Sequence, residues 1–173
     1  MKHPAIFAVL AAGLFLAGIQ DLRAMTAVVV AIRGEIAARC SMDTSTTSID
    51  LGDLREAGRR LVSIHVDCNT PFLVVMSSDR GALVSDAGGS VPAAFTDRVA
   101  YQAKVEIPTD LGLLVHACGS HEAAGSSCAP ADSRGGIAQG MDGQVEISWS
   151  RPELEPLAGH YRDRLSISFQ PRT

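Results

Sequence analysis

From residue 28 onward the apolar side chains fall on every second position. Val28, Val30, Ile32, Gly34 and Ile36 share one face, while Arg33 and Glu35 belong to the other. A period of two is that of an extended strand with one face buried. The alternation returns in residues 61–68. The turn signal Asn69-Thr70-Pro71 follows, then the apolar run Phe72-Leu73-Val74-Val75-Met76, and together these predict a hairpin. Further strands are expected on the series Val99, Tyr101, Ala103, Val105, Ile107 and on Val145, Ile147, Trp149. A terminal strand is expected on Tyr161, Asp163, Leu165, Ile167 and Phe169. A Ser/Thr-rich turn over residues 41–48 leads into a short strand at Ile49 and Leu51, closed by Gly52. The first strand of the domain is expected at residues 35–39. Residues 118–143 are rich in Gly, Ser, Ala and Asp and read as one long loop. No helical period of similar strength, internal repeat or composition break appears. The pattern predicts an all-β antiparallel sandwich in one domain.

The first residues have a different character. Lys2 and His3 give a positive start, an apolar run spans residues 4–18, and Gln20, Asp21 and Arg23 precede Ala24. This is the layout of a secretory signal peptide, expected to occupy residues 1–24, with Ala27 as a second possible cleavage point. The run is shorter than the roughly 20 residues that span a bilayer, which disfavours the alternative of a retained membrane anchor.

Export changes the meaning of the cysteines. Cys40, Cys68, Cys118 and Cys128 all follow the signal segment, and an even count in an oxidising compartment predicts disulfides. Four cysteines allow three pairings. Cys40–Cys68 and Cys118–Cys128 are favoured, because each pair ends or flanks a compact stretch. The formal net charge is −4 with no basic run, so nucleic acid is not an expected partner. Aromatic residues make up only 5% of the chain, too few for a base- or sugar-stacking platform.

Catalytic chemistry finds little footing. His116, Cys118, His121 and Cys128 match no standard zinc spacing, and oxidation would remove the thiols. His160, Asp163 and a serine could form a triad, yet no nucleophile-elbow motif is present. No cofactor and no metal are expected, and the chain does not read as an enzyme.

Three features carry a family resemblance. The first is a cysteine after a short apolar strand, then a Ser/Thr region and Ile49-Asp50-Leu51-Gly52. The second is the approach to Val66-Asp67-Cys68-Asn69. The third is the closing run Gly159-His160-Tyr161-Arg162-Asp163-Arg164-Leu165-Ser166-Ile167-Ser168-Phe169. In their order the chain resembles the spore coat U domain, shared with the pilins of archaic chaperone–usher pili. The likeness spans residues 26–169, and the Cys118–Cys128 loop departs from it.

The resemblance implies an incomplete immunoglobulin-like sandwich lacking its last strand, with the terminal strand Tyr161, Asp163, Leu165, Ile167, Phe169 at the edge of an open groove. It implies a structural subunit of a secreted surface fibre, passing through the periplasm to the cell surface. Its partners would be a periplasmic chaperone, an outer-membrane usher and other pilin subunits joined head to tail. The donor strand would be Val28, Val30, Ile32 and Gly34, within an extension over residues 25–34 that precedes a pilin-like domain over residues 35–173. The same alternation also suits a first strand paired within its own domain. The alternative function is an exported immunoglobulin-like binding or coat module that does not polymerise.

Overall fold

The computed structural model describes residues 30–45, 48–125 and 128–172. The expected signal segment 1–24 and the donor residue Val28 lie outside the described residues. The chain divides into two units, Met1–Glu35 and Ile36–Thr173. In the first, residues 30–35 form no helix or strand, and Val30 and Ile32 are 73% and 91% exposed.

Among its described residues the second unit is all-β apart from one short helix. Its elements are β1 (Cys40–Asp43), β2 (Gly58–Cys68), β3 (Phe72–Ser78), β4 (Leu83–Ser85), β5 (Phe95–Thr96), β6 (Arg98–Val99) and β7 (Gln102–Thr109). They continue with β8 (Gly112–Gly119), α1 (Ser120–Ala124), β9 (Ala131–Asp132), β10 (Ala138–Trp149), β11 (Glu155–Pro156), β12 (Tyr161–Arg162) and β13 (Leu165–Pro171). One antiparallel sheet has the order β1-β2-β10-β7-β8. Smaller sheets run β13-β3-β9 and β12-β4-β6, with a short parallel pair β11-β5.

Alternation explains which side chains form the core. Ile64, Val66 and Cys68 of β2, Ala103, Val105 and Ile107 of β7, and Val145, Ile147 and Trp149 of β10 are buried at every second position. Phe72, Val74 and Met76 of β3 join the same cluster from the second layer. Each fully buried aliphatic side chain contributes about 1.5–3 kcal/mol, so this shared core is the main source of cohesion.

Several expected elements are corrected. β2 and β3 are not a hairpin, because they lie in different sheets: β2 pairs with β1 and β10, and β3 pairs with β13 and β9. Residues 69–71 carry the chain from one layer to the other. That crossing lets two strongly apolar strands contribute to one core from both sides.

Residues 35–39 form no strand, and the first ladder begins at Cys40. The Asn69 amide takes the place of a ladder there. Arg39 N–H donates to Asn69 Oδ1 (2.8 Å), and Asn69 Nδ2 donates to the Ala37 carbonyl (3.0 Å). Nor are Ile49 and Leu51 in a strand: Gly52 N–H donates to Asp50 Oδ1 (2.9 Å), and Gly52 has φ +80°. That is an Asx turn followed by a left-handed residue, which suits glycine.

The strand expected over 99–107 is split. β6 pairs with β4 in the small sheet, and β7 pairs with β10 and β8 in the large one. Between them Tyr101 N–H donates to Ser120 Oγ (3.2 Å). The loop expected over 118–143 is replaced by the end of β8, α1, β9 and the start of β10. Its small residues are packed and not idle: Ala138 is fully buried, and Ala123 and Ser120 nearly so.

Candidate functional site

Within the β13-β3-β9 sheet, β13 is the end member. It pairs with β3 from Leu165↔Ser78 to Pro171↔Phe72, and no described strand pairs with its other edge. An unpaired edge leaves main-chain N–H and C=O groups open to another strand. Burial shows the same asymmetry. Ser78, Met76 and Val74 of β3 are buried, whereas Leu165, Ile167 and Phe169, their respective partners on β13, are only half-buried. Phe169 packs against the core, with a tilted ring pair to Phe72 at 5.7 Å.

Beside that edge lies an open groove of about 1300 Å³. It is lined by the core side chains Ile64, Leu83, Val145 and Ile147, with the half-buried Val62 packed against them. One wall is Tyr161, Leu165 and Ile167. The other is Met42 at the end of β1 with Leu51 and Leu54. The rim is charged. Asp53 and Arg55 pair at 2.6 Å, and the Arg55 hydrogen bonds hold the Asp53 carboxyl down to about 2. Arg162 pairs with Asp86 at 3.0 Å. An open groove lined by apolar core side chains and by charged residues, beside an unpaired strand edge, can take an extended peptide.

The sequence-predicted terminal residues divide into two roles. Leu165, Ile167 and Phe169 follow the strand alternation of β13. Asp163 does not belong to an apolar face. Its Oδ2 accepts from Ser78 Oγ (2.5 Å) and Tyr101 Oη (2.6 Å), and its Oδ1 accepts from the Arg80 N–H (3.0 Å). This latch takes Asp163 and Arg164 out of the ladder, so the expected single terminal strand becomes β12 and β13. Burial, reinforced by the Asp163 hydrogen bond, pushes the Tyr101 phenol well above its ordinary range. Tyr161 Oη donates to the carbonyls of Leu157 (2.9 Å) and Thr96 (3.1 Å), fixing its ring against the groove. Replacing Asp163 by Ala strands the Tyr101 and Ser78 hydroxyls. The expected loss is about 3 kcal/mol by urea denaturation, against about 1 kcal/mol for Asp163→Asn, which keeps an acceptor oxygen.

Cys40 is joined to Cys68, with 4.0 Å between Cα atoms, and Cys118 to Cys128, with 6.0 Å. The first bond lies within the β1–β2 ladder, where the two cysteines are directly paired. It ties down the strand that forms one end of the groove wall. The second holds β8 to the segment that follows α1. There His116 Nε2 lies 3.8 Å from Cys118 Sγ and 3.6 Å from Cys128 Sγ, and burial lowers the pKa of its ring. His121 stands outside this group. Among the described residues no hydrogen bond joins the His160 ring to Asp163, whose carboxylate serves Ser78, Tyr101 and Arg80 instead.

The chain matches no family model and no curated protein. Gly34 and Ile32 are exposed and lie outside any strand. Met42 and Leu54 are groove residues that alternation does not single out, since they sit beside a turn region. Leu51 is marked in the sequence by its short alternation with Ile49, but as a strand residue and not as part of an Asx turn.

Proposed function

We propose that the chain is a structural subunit of a secreted surface fibre, an immunoglobulin-like sandwich completed by a strand from a neighbouring copy. The observation that carries this reading is the unpaired edge of β13 beside a groove lined by core side chains. The strand order supports it. The order β1-β2-β10-β7, with β8 added outside β7, is compatible with strands A, B, E and D of an immunoglobulin-like domain, and in this reading β3 and β13 take the roles of C and F. The place of G, beside F, is the free edge of β13.

The donor is the alternating segment Val28, Val30, Ile32 and Gly34. Its side chains recur at about 6.6 Å, the spacing of same-face residues on a strand. Burial of Val28, Val30 and Ile32 contributes about 1.5–3 kcal/mol each, and the main chain supplies the ladder. A slip of one residue would put Arg33 and Glu35 into the groove, which fixes the register. Donation from copy to copy is head to tail and does not close, so it yields a fibre. A periplasmic chaperone would hold the groove before assembly, and an outer-membrane usher would order the exchange. Deleting residues 25–32 tests the reading. The shortened chain should remain folded with chaperone yet form no fibres by electron microscopy, and fibres of normal length would overturn the proposal.

A further inference from the structure

The second disulfide differs from the first in having an imidazole directed at both of its sulfurs. His116 and Cys118 are two apart on β8, so the period of the strand places both on its buried face. The chain then turns through α1 and brings Cys128 to the same point. His116 Nε2 and the two Sγ atoms all lie within 4.8 Å of one another. His116 is 8% exposed and Cys118 3%, while Cys128 is half-buried and leaves a way in. Among the described residues no oxygen or nitrogen atom shares a hydrogen bond with the His116 ring. Among the described residues no such ring accompanies Cys40–Cys68.

We propose that reduction of Cys118–Cys128 opens a site in which His116, Cys118 and Cys128 bind one Cu(I) ion. Two thiolates and one imidazole form a soft donor set, which favours Cu(I). Three protein ligands in a buried pocket suit a low-coordinate ion, whereas structural Zn(II) sites take four. The disulfide is the closed form of the site. A dithiol reductant delivers two electrons and two protons: the S–S bond breaks, two thiols form, and the dithiol becomes a disulfide. Cu(I) then displaces the two thiol protons to solvent as two Cu–S bonds and one Cu–N bond form, with no change in copper oxidation state.

The full chain is reduced with excess dithiol under nitrogen, freed of reductant, and titrated with Cu(I) against bicinchoninate. One tightly held Cu(I) per chain is expected, with two sulfur and one nitrogen neighbours by X-ray absorption at the copper edge. His116→Ala, which keeps both cysteine pairs, should weaken binding at least tenfold. The double variant Cys118→Ser/Cys128→Ser should lose the site, with circular dichroism verifying that both variants fold. Equal Cu(I) binding by that double variant would place the metal on Cys40 and Cys68 and overturn the proposal. So would an unchanged affinity in His116→Ala, or displacement of Cu(I) by equimolar Zn(II).

Discussion

Appending residues 27–36 to the C-terminus through a short Gly/Ser linker should raise the melting temperature by about 10 °C and yield a monomer. The linker lets the added strand return antiparallel along the free edge of β13. There Val28, Val30 and Ile32 cover the half-buried Leu165 and Ile167 and the core side chains lining the groove. Each buried aliphatic contributes about 1.5–3 kcal/mol, set against the cost of ordering the added residues. A net gain of about 4 kcal/mol corresponds to roughly 10 °C for a chain of this size. The same fusion carrying Val30→Asp and Ile32→Asp should show no gain, since either carboxylate would be buried without a partner. Size-exclusion chromatography and thermal unfolding of the two fusions separate a filled groove from a mere tail.

The second large effect concerns Cys40–Cys68. The bond closes a loop with a sequence separation of 28, and the unfolded chain loses corresponding freedom. Replacing both cysteines by Ser should cost about 3–4 kcal/mol by denaturant unfolding. The shorter Cys118–Cys128 loop, with a separation of 10, should cost about 1 kcal/mol less. The first bond also anchors β1, whose Met42 forms part of the groove wall. Its removal should therefore impair strand acceptance as well as stability, and loss of the second should leave acceptance intact.

Much of the architecture was legible because period-two burial is a property of the sequence itself. β2, β7 and β10 each bury one face of an alternating run, and β13 half-buries one. Layer assignment was not legible in the same way. Alternation reports which face is buried but not which sheet a strand joins, so the short 69–71 connection was read as a hairpin when it crosses between layers. β8 shows no clear period in the sequence, because Leu113 and Val115 on its outer face are exposed and apolar. The 118–143 stretch hid its order because small buried residues such as Ala123 and Ala138 carry little hydrophobic pattern.

The groove was half legible. Leu165, Ile167 and Phe169 followed from the terminal run. Asp163 fitted the alternation by position but not by chemistry, since its partners Ser78 and Tyr101 come from distant parts of the chain. On the opposite wall, Leu51 falls in the short alternation expected to be a strand but sits in an Asx turn, and no periodicity marks Leu54.

Amide hydrogen exchange on the chain lacking residues 25–32, with and without a synthetic peptide of residues 27–36, addresses the vacant edge most directly. Slowed exchange confined to residues 165–171 and the groove wall, absent with a peptide carrying Val30→Asp and Ile32→Asp, is the predicted result. Amides of β13 that are already fully protected without peptide, and unchanged by it, would contradict the account.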